Sequence, residues 1–450
     1  MCEHHAPARH ADVSAYPACV SDDHRPGLRT RIARSLIDVS ALRSSKPFRR
    51  MFSAQLISSI GSQVTLVALF FQVYELTDSP LMTGLLGLAM VIPTLSLALL
   101  GGAIADSMDR RKLLVTVQVA MAAVSLTLAW LATHDEPPLW ALYVLAALAS
   151  SFAAVDGPTR SAVIPMLVDA ATLRSAVQLR EVLTQSGRTF GPIIGGILIA
   201  QVSLPAAYLL DTVSFVVAFV LFLGLPSLVP ETRRKFELSS ITEGIRFVRE
   251  RPVLASTFWA DLIAMILGQQ RALFPAYAAT VFGGGAMTLG LLFAAPSAGA
   301  MVGLVFMGLF RNVQREGMAV LIAVAAWGAF IALFAVSPWL WLALLFLACA
   351  GAADMVSAIF RQTILLAIAP DELRGRTSAV HIMVVTGGPP IGDMVSGAMG
   401  EAFGVRVSSL LGGLGVVAGI AVLARRVPEF AHWRDPARIP AHDEDSIVSP

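Results

Sequence analysis

Long apolar runs recur along this chain, divided by short clusters of polar, Pro and Gly positions. Crossing ~30 Å of hydrocarbon takes ~20 predominantly apolar residues as a helix. Twelve stretches are long enough, at roughly 51–75, 82–105, 113–133, 139–160, 177–200, 204–225, 253–278, 287–310, 317–336, 339–361, 377–400 and 405–424. The pattern predicts an all-α membrane protein with twelve transmembrane helices.

The placement of bases tests that count, because cytoplasmic loops collect Lys and Arg and exported loops do not. With the N-terminus inside, "ELTDSP", "THDEPP", "QVSLP", "FGGGA" and "VSP" face outward, and none holds a Lys or Arg. Apart from Arg188 and Arg271 within predicted helices, only Arg406 of the 33 bases falls outside. One helix more or fewer would destroy this alternation. Both termini are therefore expected in the cytoplasm. Residues 1–46 and 426–450 read as cytoplasmic tails, the first disordered and without the apolar core of a signal peptide.

Composition agrees: 56% hydrophobic, 14% charged and a mean hydropathy of +0.71 exclude an ordinary soluble globule. A net charge of +2 gives no reason to expect nucleic acid, since topology already accounts for the bases. Cys2, His4, His5, His10, Cys19 and His24 match no zinc spacing, so no metal is expected. No nucleophile elbow or phosphate-binding loop with a Lys is present, which leaves an enzyme or a direct user of ATP without support, and no cofactor is expected.

The second half overlays the first at an offset of 201: Gly102 falls on Gly303, Arg110 on Arg311, Arg160 on Arg361, Gly187 on Gly388, Gly191 on Gly392 and Gly196 on Gly397. A slightly different offset lays "ADLIAMILGQ" from 260 over "AQLISSIGSQ" from 54. Two six-helix bundles, 47–225 and 253–425, are thus expected, joined by a charged cytoplasmic linker at 226–252.

Parallel six-helix repeats of this kind resemble the major facilitator superfamily, whose substrate site lies between the halves near the bilayer midplane. Residues 102–112, "GAIADSMDRRK", are similar to its signature loop between the second and third helices. Gly102, Asp106, Arg110 and Arg111 match, whereas Ser107 and Asp109 replace a base and a Gly. The resemblance implies a conformational gate, with Asp106 set against the backbone around Arg376–Ser378 and Arg110 or Arg111 against Asp156. The plainer reading is a set of charges that marks topology.

"GRTFGPIIGGIL", residues 187–198, resembles the pattern the superfamily associates with antiporter-type exporters. It supplies Gly187, Gly191, Pro192, Gly195 and Gly196, which physics alone reads equally well as a helix-packing face. Over about 47–425 the chain is similar to the branch that contains the enterobactin exporter and the macrolide efflux proteins. That likeness implies export of a bulky amphipathic small molecule, a siderophore or an antibiotic, across the bacterial inner membrane and driven by proton entry; a monomer is expected. A lysophospholipid flippase, an importer on the same scaffold and a transporter-like receptor are the alternatives.

Charges inside spans are costly, so each is a functional candidate. Arg188, Asp211, Asp261, Arg271 and Asp393 qualify as proton-coupling or substrate residues, with Asp211 or Asp393 as the proton carrier. A buried structural ion pair is the competing reading for each.

Overall fold

The computed structural model describes residues 38–229, 239–310 and 313–434; of 98–107, 239–242, 307, 309, 371 and 372 only the backbone is described. Among the described residues the chain is helical, with no strand. The first six long helices are α1 (Lys46–Thr77), α2 (Pro80–Ser107), α3 (Arg110–Leu131), α4 (Leu139–Leu167), α5 (Leu173–Gln201) and α6 (Leu204–Leu223). The second six are α7 (Pro252–Leu267), α8 (Gly285–Phe306), α9 (Glu316–Val336), α10 (Leu340–Ile368), α11 (Asp371–Phe403) and α12 (Val405–Arg426). Ten have the length and hydropathy to cross a membrane, α7 when its continuation to Val281 is included. The other two, α5 and α11, are equally long but carry more ionisable residues, so the set is consistent with twelve spans.

Several starts are written in a Ser–Pro signature. Ser45, Ser79 and Ser203 each accept a hydrogen bond from a first-turn N–H, and Pro occupies one of the first two helical positions after each. The seventh span differs from the single helix expected. It breaks after Gly268 and resumes as a tight turn at Arg271–Leu273, a short helix at Phe274–Ala276 and a wide turn at Tyr277–Val281. A Cβ on Gly268 would collide with the Trp327 ring. Gln270 braces the break by accepting a 2.5 Å hydrogen bond from Ser409 on α12.

The packing scheme repeats between halves. In the first, α1 packs on α5 and α6, α2 on α4 and α3 on α6; in the second, α7 packs on α11 and α12, α8 on α10 and α9 on α12. Two further contacts cross between halves, α2 with α11 and α5 with α8, and the repeat relation exchanges them.

Both crossings are built on glycine. A Cβ on Gly196 of α5 would stand 3.1 Å from the Gly290 Cα of α8; one on Gly397 of α11 would stand 3.2 Å from the Gly84 Cα of α2. Without side chains at these points the backbones touch, as small residues permit in bilayers. Helices alternate in direction, so α1 begins at the end where the linker runs. Gly84 and Gly290 lie in the first turns of helices that start at the opposite end, and Gly196 and Gly397 lie near helix ends that reach it. The molecule is therefore closed away from the linker.

The linker is held at both ends. The carbonyls of Leu223 and Gly224 accept hydrogen bonds from Arg111 (2.6 Å) and Arg50 (2.5 Å). At its far end a helix at Ser239–Arg249 packs on α11, where Glu243 pairs with Arg376. Phe247 and Val248 are buried there with Leu254, Phe258, Leu365 and Val380.

Candidate functional site: a central cavity and its buried charges

A cavity of ≈ 650 Å³ lies between the halves. On each of the four crossing helices its lining residues sit toward the linker from the glycine contact: Gly87–Thr94 on α2, Gln185–Pro192 on α5, Phe293–Ala300 on α8 and His381–Pro390 on α11. Its volume falls in the range of small-molecule sites, roughly 300–1,000 Å³. Phe70, Phe274 and Phe293 form one wall, with edge-to-face ring pairs at 5.4 Å (Phe70–Phe293) and 5.3 Å (Phe274–Phe293).

Arg188 lines this cavity from α5, and its neighbour Gly187 explains the orientation. Gly187, Gly191 and Gly195 form a stripe one turn apart that packs on Ser59, Gln63 and Val64 of α1. Gly196 turns instead to α8, while the carbonyl of Pro192 approaches Gly290. Arg188 is left on the open face, accessible to the cavity while deep in the protein.

Arg271 enters the same cavity from the break in the seventh span and donates a 2.7 Å hydrogen bond to Asp393 of α11. Asp393 is fully buried. Asp261 of α7 forms a second pair, 2.8 Å from Arg361 of α10, which also lies 3.6 Å from Asp354 and donates to Ser357. The Nδ1 of His381 is 3.9 Å from the Asp261 carboxylate.

Asp211 is placed differently. It is buried between α1, α3 and α6, where its carboxylate accepts hydrogen bonds from Thr65 (2.7 Å), Ser125 (2.6 Å) and Ser214 (3.2 Å). Those three hydroxyls are its partners, and it is not among the cavity-lining residues.

Around the loop between α2 and α3, in this state closed at the opposite end, Asp156 and the two bases have other partners among the described residues. Asp156 pairs with Arg160, one turn along its own helix at 2.5 Å, and accepts from Gln118 at 3.2 Å. Arg110 donates to the Ala162 carbonyl of α4 at 3.1 Å, and Arg111 reaches the Leu223 carbonyl at the end of α6. The cause is local: Arg160 is already tethered beside Asp156, and the partial negative charge at the α6 C-terminus attracts Arg111. Of Gly102 and Asp106 only the helical backbone is described, and Arg311 lies outside the described residues. Arg376, near which Asp106 was expected, pairs with Glu243.

The residue that sequence reasoning passed over is Asp109. It caps α3 by accepting from the Arg111 N–H at 2.9 Å, and also accepts from the Leu228 N–H at 3.0 Å and the Ser227 hydroxyl at 2.8 Å. Partial burial alone would raise its pKa, but those hydrogen bonds and the nearby Lys112 charge hold the carboxyl below its ordinary value. An Asp directly before a helix-opening "RRK" is the cap signal that could have identified it.

Comparison with known proteins adds the lineage. The family model described as "Transmembrane secretion effector" matches residues 39–445. The enterobactin exporter EntS of Citrobacter koseri is 26% identical over 412 residues, covering 90% of this chain and 97% of its own. EntS of Escherichia coli K12 is 26% identical over 414 residues, covering 91% and 98%. Among solved structures, the nucleoside transporter NupG superposes with a TM-score of 0.70 at 12% identity, covering 84% of this chain and 98% of that one. A bacterial homolog of the human lysosomal transporter Spinster, inward-facing and unoccupied, gives 0.67 at 16%, covering 87% and 99%. The fold, the repeat and the family match together place this chain in the transmembrane secretion effector family of the major facilitator superfamily, as a multi-pass membrane transporter and not an enzyme.

Proposed function

We propose that the protein exports a bulky amphipathic small molecule, of the siderophore or drug type, by proton antiport with alternating access. The cavity between the halves, closed at one end by two glycine crossings, carries this reading. Positive-inside placement of bases makes the linker end cytoplasmic, so the cavity is in its loading state, with both tails on that side. Residues 47–225 and 253–425 act as the two moving halves, and the molecule works as a monomer. Gly187, Gly191, Pro192, Gly195 and Gly196 serve as the packing face on which α5 meets α1 and α8. Gly102, Asp106, Arg110, Arg111 and Asp156 belong to the cytoplasmic gate, with Arg110 and Arg111 acting through backbone carbonyls of their own half.

Asp211 and Asp393 are the proposed proton carriers. Asp211 is the better supported, because hydroxyls that surround it accept or donate and so accommodate either protonation state. Everted vesicles bearing the protein should accumulate enterobactin when a proton gradient is imposed, and a protonophore should abolish the accumulation. Asp211→Asn with Asp393→Asn should leave gradient-independent exchange but no uphill accumulation. Equal uptake with and without the gradient would overturn the reading.

A further inference from the structure

Two guanidinium groups from opposite halves meet the cavity, and they are satisfied unequally. Arg188 has neither a hydrogen-bond nor an ion-pair partner among the described residues; the charges that reach it are Glu181, Arg271 and Asp354. Arg271 gives one N–H to Asp393, yet its Nε is buried without an acceptor and its side chain is 35% exposed. The remaining cavity charges are committed on the other wall, where Arg361 lies against both Asp261 and Asp354.

An unpaired guanidinium at this depth is costly, and a second one nearby raises the cost by repulsion. An anion placed between them removes both penalties and finds planar donor forks suited to a carboxylate, sulfonate or similar group. Phe274 stands three residues beyond Arg271 and packs edge to face on Phe293, so an apolar wall adjoins the charged one. We infer that Arg188 and Arg271 form an anion subsite, and that the molecule carried joins an anionic group to an aromatic or other flat apolar body. This rests on the transport reading above.

The full chain in phosphatidylcholine nanodiscs tests it with two probes that share one ring skeleton: anilinonaphthalene sulfonate, and N-phenyl-naphthylamine, which lacks the sulfonate. Saturable binding should favour the anion by about tenfold or more, the scale of a charge-assisted hydrogen bond. Arg188→Gln should erase that preference with little effect on the neutral probe, and Arg188→Lys should restore part of it. Asp354→Asn, which removes a like charge from the cavity, should tighten the sulfonate several-fold. Equal affinity of the unaltered protein for both probes overturns the subsite without recourse to any variant, as does an Arg188→Gln change that weakens both alike. Arg188-dependent binding without gradient-driven movement in proteoliposomes would instead defeat the transport reading and leave the subsite standing.

Discussion

Replacing Gly196 by Ala adds one methyl group at the α5–α8 crossing. That carbon would sit 2.7 Å from the Ala286 carbonyl oxygen and 3.1 Å from the Gly290 Cα, both inside ordinary van der Waals contact. These neighbours are backbone atoms, which no rotamer change can move aside, so the helices must part by roughly half an ångström or more. Overpacking of this kind costs about 1–3 kcal/mol. The better helix propensity of Ala acts equally in closed and open states and cancels. Only the closed state bears the clash, so the equilibrium should move toward opening at this end by about 5- to 150-fold. A cysteine at Ala300 in the cavity, with Cys2, Cys19 and Cys349 replaced, reports the change. An impermeant maleimide should label it faster in right-side-out vesicles and slower in everted ones once Gly196→Ala is present. Unchanged labelling in both orientations would refute the reasoning, because it would mean the crossing is equally tight in every state.

Arg361→Met should strand Asp261, which is buried, and lower stability by about 3–5 kcal/mol, read as a reduced Tm in detergent; adding Asp261→Asn should recover much of the loss. Asp109→Ala should cost about 1 kcal/mol through the lost cap. Because the folded Asp109 titrates below its ordinary value, its contribution is complete above the unfolded pKa of about 3.9 and disappears as pH falls through the lower folded value. The Tm difference between the native chain and Asp109→Ala should accordingly hold steady at neutral pH and narrow only in strong acid.

The spans, the repeat and the glycines of α5 were legible in the sequence because each is a matter of spacing. Gly196 and Gly397 share the repeat's offset, and the structure places them at the two equivalent crossings. Partnerships were less legible. Arg160 and Arg361 occupy duplicated positions, yet Arg160 takes its acid from its own helix while Arg361 takes Asp261 from α7, and Ser357 stands where the first half has Asp156. With Ser357 in that place, Arg361 finds its nearest acid on α7, a partnership across helices that a one-dimensional overlay cannot register. The break after Gly268 did leave a mark that the span reading ran through: "GQQR", residues 268–271, is polar in the midst of an apolar stretch, and Gly268 lies against the Trp327 ring of α9.

The linker's two anchors bear on how the protein is made. Its root, Leu223–Leu228, is fixed by Arg50, Asp109 and Arg111, all translated before it. Its distal helix is fixed by α7, α10 and α11, all translated after it. Each anchor forms with residues of the same half, so neither half waits on the other to bind its own stretch of linker. A gene cut within codons 230–238 and expressed as two polypeptides should therefore yield two separately inserted pieces that associate through the α2–α11 and α5–α8 contacts and co-purify.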